Sequence, residues 1–146
     1  MTRVSSGVSG RRLSDVHLRK ERIEILRIPN SIKKGTAKVD LKKIPKEFKL
    51  GQFHILHFYD KLKYIHRRYN ELTEECIKRG FNVTDYSDAF KDLPEHLYND
   101  WDDSSPKVKE IVSERIKERL LGMKLKDLKY YSEQKTAEEL IEILCN

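Results

Sequence analysis

The chain has 146 residues, enough for one domain with a sizeable core. Charged residues make up 37% and hydrophobic ones 38%, with few alternating β-branched runs, so the composition favours helices over sheets. Thirty Lys and Arg against 24 Asp and Glu give a net charge of +6, which permits a nucleic-acid or anionic-membrane partner, while no apolar run is long enough for a signal peptide or a membrane span. Cys76 and Cys145 lie far apart, one on an apolar stripe and one beside the chain end. That usage suits a reducing, intracellular setting.

Residues 1–12 hold Ser5, Ser6, Gly7, Ser9 and Gly10 and read by composition as a disordered arm. Ser14 then offers an N-cap, Asp15 suits a first turn, and Leu13 with Leu18 can form a hydrophobic staple. The expected helix runs from Asp15 to about Ile28, with Pro29 ending it. On it His17, Glu21 and Glu24 stand at i, i+4 and i+7, within roughly 60° of one another at 100° per residue. Three readings are open for this stripe: a solvated face of i,i+4 pairs, a buried functional site, or a metal site, although only one His is offered.

From Ile32 to Lys49 seven lysines face Asp40 and Glu47, either as a solvated loop or as a phosphate-contacting surface. A long helix follows from Phe53 to Arg79, carrying Ile55, Phe58, Leu62, Ile65, Tyr69, Leu72 and Cys76 on one face. Gly80 is placed for a left-handed C′ residue, with Phe81 folding back as its hydrophobic partner. Residues 81–105 are acidic with interleaved aromatics, an irregular connection pinned to the core and expected to lie away from the basic face; Leu93-Pro94-Glu95 opens a short helical turn. Ser105-Pro106 starts a third main helix with Val108, Ile111, Val112, Ile116 and Leu120 inward and Gly122 at its end. Arg115 and Arg119 lie one turn apart on a neighbouring face and can reach phosphates together. Lys124, Lys126 and Lys129 surround Tyr130 and Tyr131, which suit either base stacking or half-buried packing. Thr136 with Glu139 forms a capping box for a short amphipathic tail helix. The expected fold is therefore all-α: a compact single domain of three main helices, short helical turns and a C-terminal tail helix.

These blocks resemble the pyrimidine dimer DNA glycosylases, the small phage and algal-virus enzymes of the endonuclease V type that excise UV damage. The resemblance rests on Met1-Thr2-Arg3-Val4, on LSDVHLRKERIE (13–24), on Arg27 and Ile32-Lys33-Lys34, on FKLGQFH (48–54) with FYDKL (58–62), on ECIKRGFN (75–82), on DLP (92–94) and on Lys129-Tyr130-Tyr131. It covers residues 1–131 as the glycosylase-like domain and leaves 132–146 as a C-terminal extension.

The resemblance implies a DNA glycosylase with AP-lyase activity acting on double-stranded DNA that contains UV lesions, with no metal and no cofactor. The expected state is a monomer. The implied nucleophile is the α-amino group of Thr2, exposed when Met1 is removed, and the implied catalytic carboxylate is Glu24. An α-amine titrates near 7.7–8.0 against about 10.4 for Lys, so a neutral fraction exists near pH 7 without burying a lysine. On this reading the arm becomes a tether that lays the terminus against the first helix. Arg3, His17 and Arg27 match positions near the lesion, with Lys33, Arg115, Arg119, Lys129, Tyr130 and Tyr131 as further DNA contacts. Three departures stand out: Ile23 occupies the position where the family usually has Arg, the run before the paired tyrosines, Asp127-Leu128-Lys129, lacks Trp, and the arm before the first helix is longer by one residue. Two other readings compete: a non-catalytic basic helical DNA-binding protein, and a related lyase for abasic or oxidised lesions.

Overall fold

Ser14 accepts a hydrogen bond from the His17 N–H and starts helix α1 (Asp15–Glu24), with Leu13 and Leu18 both buried beside the cap. The computed structural model describes residues 3–35, 37, 39–48, 50 and 54–146, nearly all of its regular structure helical. Pro29 does not end this region as the sequence predicts. The chain tightens after Glu24 and enters a second helix, α2 (Arg27–Lys33), in which Pro29 is the third residue. An amide there has no intrahelical acceptor to lose, so proline is tolerated.

The long central helix is shorter than its periodicity predicts. Helix α3 spans Leu62–Lys78, and Ile55–Phe58 forms a separate 3-10 turn. The break comes from the acidic connection: the Asn99 side chain donates to the Asp60 carbonyl (2.9 Å), and the Asn99 carbonyl accepts the Tyr64 N–H (3.3 Å) in the first turn of α3. The apolar spacing runs through the break because Phe58 and Leu62 enter one core, both fully buried. At its other end α3 closes as the sequence predicts. Gly80 has φ +84°, its N–H reaches the Ile77 carbonyl, and the Phe81 N–H reaches the Cys76 carbonyl, which together make a Schellman motif.

Helix α1 packs on α3, with Leu18 of the first and Ile65, Tyr69 and Leu72 of the second buried in the core. Residues 81–105 are held by aromatics: Phe90 stacks on His66 with centroids 4.4 Å apart, and Trp101 sits among Phe48, His57, Phe58 and Tyr64. The turn at Ser87–Phe90 lies against α2, and Lys33 donates to the Asp88 carbonyl. The acidic stretch therefore meets the basic linker at Lys33 rather than keeping clear of it. Helix α4 (Pro106–Gly122) has Pro at its start and buries Val108, Val112, Ile116 and Leu120. Helix α5 (Ala137–Cys145) starts with the capping box of Thr136 and Glu139 and packs Leu140 and Leu144 into the same core.

Lys129-Tyr130-Tyr131 forms a feature that composition did not signal. Strands β1 (Lys129–Tyr130) and β2 (Glu133–Gln134) pair antiparallel across Tyr131 and Ser132, both at positive φ (50° and 66°). Such a turn usually recruits Gly or Asn. Here the Asp15 carboxylate accepts both strained amides, Tyr131 N at 3.0 Å and Ser132 N at 2.8 Å. Asp15 is held in turn by Arg79, whose fully buried side chain also donates to Glu75 and to the Gly10, Arg11 and Leu13 carbonyls. The hairpin is thereby fastened to the first turn of α1.

Candidate active site

The N-terminal arm is a built element whose backbone N–H groups point into side chains from distant parts of the chain. Val4 N donates to His54 Nε2 (3.2 Å), Ser5 N to Glu21 Oε1 (3.1 Å), Gly7 N to Asp103 Oδ2 (3.1 Å) and Gly10 N to Glu71 Oε2 (2.6 Å). Arg68 completes the set by donating to the Val8 carbonyl at 2.6 Å. Val4, Ser5, Ser6, Val8 and Gly10 are buried, so water cannot replace these bonds without opening the fold.

Glu21 is the centre of that anchorage. It is fully buried, with Oε2 at 2.9 Å from Arg68 Nε and Oε1 shared by Ser5 N and His17 Nε2 (3.1 Å). Burial alone would raise its carboxyl, but the Arg68 guanidinium and the bonds from His17 and Ser5 outweigh it and hold Glu21 ionised far below the usual carboxylate range. His17 Nε2 also lies 2.8 Å from Ser5 Oγ. Since the Glu21 carboxylate only accepts, the network assigns the ring proton to Nε2. Burial lowers the His17 pKa more than Glu21 raises it, so the ring is a neutral brace for the arm.

One turn further along α1, Glu24 meets the arm. Arg3 Nε stands 3.1 Å from Glu24 Oε1, with side chains 21% and 17% exposed, and the alignment is not that of a hydrogen bond. Two cavities meet here. A groove of about 880 Å³ is lined by Glu24, Arg27, Ile23, Phe81, Lys126 and Lys129 among others. A second, of about 410 Å³, is lined by Arg3, His17, Arg119, Met123 and Asp127 among others. Val16 and Lys20 line both. Burial lowers the Arg119 guanidinium pKa, Arg3 and Arg115 push it the same way and Glu24 opposes them, so Arg3, Arg115 and Glu24 all lie close enough to act on the Arg119 charge. A cationic, half-enclosed groove around one carboxylate suits a polyanion whose reacting centre becomes positive.

The residues singled out in the sequence fall into three groups. Arg3, His17, Glu24, Arg27, Arg119 and Lys129 line the two joined cavities, and Arg115 stands beside Arg119. Lys33 lies elsewhere, on the Asp88 carbonyl. Tyr130 and Tyr131 each have one ring face covered by Arg79 (4.7 and 4.8 Å), and their hydroxyls donate to the Arg11 carbonyl and to Glu75. Thr2 lies outside the described residues. Arg22 points inward to Thr73, Tyr69 and the Thr84 carbonyl, so exposed Ile23 leaves no cation directly before Glu24. Sequence reasoning did not find His54, Arg68, Glu71 or Asp103 as anchors of the arm. Only Glu21 carried a signal, its place on the stripe with His17 and Glu24. Among the described residues no group of His, Cys, Asp and Glu is arranged to hold a metal, and no helix is long and apolar enough to cross a membrane. A family model described as pyrimidine dimer DNA glycosylase matches residues 1–88, a span that includes Arg3, His17, Glu24, Arg27 and Lys33 and stops before α4.

Proposed function

The chain belongs to the pyrimidine dimer DNA glycosylase family, and we propose that it excises cyclobutane dimers through an imine on the α-amine of Thr2 and then nicks the abasic site as a lyase. The observation that carries this reading is the anchored arm. Val4 and Ser5 are fastened to His54 and Glu21, and Arg3, the chain neighbour of Thr2, stands at Glu24. Thr2 directly precedes Arg3 in the chain, and an arm fastened at Val4 and Ser5 with the Arg3 side chain at Glu24 supports a terminus delivered to this side of α1.

In this mechanism the neutral amine attacks C1′ of the 5′ pyrimidine nucleotide and the glycosidic bond breaks, with its electron pair leaving on the base. Glu24 stabilises the cationic sugar and accepts the amine proton; the C1′–O4′ bond then opens, O4′ takes up a proton, and C1′ becomes the imine carbon. Removal of a C2′ proton then drives β-elimination of the 3′ phosphate, and water releases the amine from the imine. Arg3, Arg119, Arg115 and Arg27 hold phosphates around the groove, Lys129 reaches it from the hairpin, and Lys33 makes a peripheral contact. Tyr130 and Tyr131 brace that hairpin through Arg79 and Glu75. Opening the duplex costs a few kcal/mol, less at a damaged step.

The test is incision of three duplexes by protein shown by mass to lack Met1: one with a single cyclobutane thymine dimer, one with an abasic site, and one undamaged. Nicking of the first two and not the third is expected. Nicking of the abasic duplex alone would leave a lyase for another lesion. Binding without nicking would favour a non-catalytic DNA-binding protein.

A further inference from the structure

Lys20 occupies a position that the mechanism above does not use. With Val16 it forms the wall shared by the Glu24 groove and the Arg3–Arg119 cavity, and the Arg3–Glu24 pair spans the same divide. It stands one helical turn before Glu24 on α1, so the two side chains share a face. Lys20 is exposed and, among the described residues, has no ion-pair partner. The carboxylates nearest to it in the chain are committed elsewhere, Glu21 to Arg68 and Glu24 to Arg3. Its neighbours on the helix cannot take its place: Arg22 is buried on Thr73 and Tyr69, Ile23 is apolar, and Arg19 lies over the Phe81 ring at 4.8 Å.

We propose that Lys20 holds the phosphate adjacent to the reacting sugar, where the DNA backbone crosses the wall between the two cavities; this rests on the reading above. A backbone whose sugar faces Glu24 in one cavity and whose phosphates reach Arg3 and Arg119 in the other crosses that wall, and a flexible ammonium on the wall follows a phosphate without demanding one geometry. The contact contributes binding and register at the lesion and leaves the bond-breaking steps to other groups.

The experiment compares wild type, Lys20→Met and Lys20→Arg on the dimer duplex and on duplexes in which the phosphate 5′ or 3′ of the damaged nucleotide is a neutral methylphosphonate. In salt titrations, Lys20→Met is expected to flatten the slope of log K against log[salt] by about 0.9 and to weaken binding roughly eightfold near 0.1 M salt. Lys20→Arg should restore both. At one of the two positions methylphosphonate should weaken wild type to the level of Lys20→Met and leave that variant unaffected. The single-turnover rate at saturation should stay within about twofold of wild type, and the thermal midpoint should not move, because Lys20 is exposed and unpaired. An unchanged slope, or additive losses at both methylphosphonates, would overturn the contact. A normal slope with a collapsed saturating rate would place Lys20 in the chemistry instead, which also overturns it. A wild-type protein that shows the slope difference but nicks no lesion would overturn the parent reading and not the phosphate contact.

Discussion

Replacing Glu24 with Gln is expected to lower single-turnover cleavage of a dimer duplex by ~10²–10⁴-fold while binding stays within about tenfold of wild type. The amide keeps the shape of the side chain, so the groove that Glu24 shares with Arg27 and Lys129 stays intact. What it removes is the negative charge. Glu24 is 17% exposed, and a charge shielded from water acts on a developing cation far more strongly than an exposed one. It also removes the proton acceptor beside the arm. Arg3 loses its ionic partner at the same time, which frees a guanidinium for DNA and should keep affinity from falling. Cleavage of the variant at the wild-type rate, measured by single-turnover gel kinetics, would take Glu24 out of the chemistry.

The second large effect lies in the anchorage rather than in the groove. Arg68→Met leaves the fully buried Glu21 without its cation and the Val8 carbonyl without a donor. Stripping one partner from a buried pair costs about 3–5 kcal/mol. In a protein of this size that is a fall in Tm on the order of 10–20 °C. Cleavage should fall with it, because the Ser5 amide hangs on the same carboxylate. The double variant Glu21→Leu with Arg68→Met should recover part of the lost stability, since it removes the uncompensated charge.

The pH profile separates this effect from simple loss of packing. In the wild type, His17 is held below its ordinary pKa by burial and Glu21 is depressed chiefly by Arg68 against its own burial. Both groups contribute stability at neutral pH. The His17 contribution declines as pH falls below about 6.5, where the unfolded ring takes a proton that the folded ring refuses, and the Glu21 contribution declines below about 4.3. In Arg68→Met burial raises the Glu21 carboxyl instead, so protonation relieves the variant as pH falls. The gap in Tm between the two proteins should therefore narrow in acid. A gap that is constant from pH 7 to pH 3 would show that the Glu21 charge is not what Arg68 stabilises.

Local signals were legible at most helix ends, where the partner lies within one helical turn, with Pro29 the exception. Ser14, Gly80 with Phe81, Pro106 and the Thr136–Glu139 box all mark helix ends as the sequence predicts, and the His17–Glu21–Glu24 stripe stands on one side of α1. What the sequence did not reveal is long-range. The arm looked disordered by composition because small polar residues bury little, yet its stability comes from backbone N–H groups meeting His54, Glu21, Asp103 and Glu71. No local pattern encodes those partners. Periodicity likewise ran straight through the break before α3, because the cap that makes the break, Asn99, comes from another segment. Tyr130 and Tyr131 looked ready for stacking beside lysines, and only the fold brings Arg79 between them and Asp15 beneath their turn. The resemblance, by contrast, singled out Glu24, Arg3 and His17 directly, and the structure brings those three into adjoining cavities.

The decisive measurement is borohydride trapping of Met-free protein on a duplex with one cyclobutane thymine dimer, followed by mass mapping of the reduced adduct. A one-to-one covalent complex whose label sits on the α-amine of Thr2 is expected. An adduct on Lys20, Lys126 or Lys129, or no adduct on either the dimer or an abasic duplex, would contradict the N-terminal amine as nucleophile.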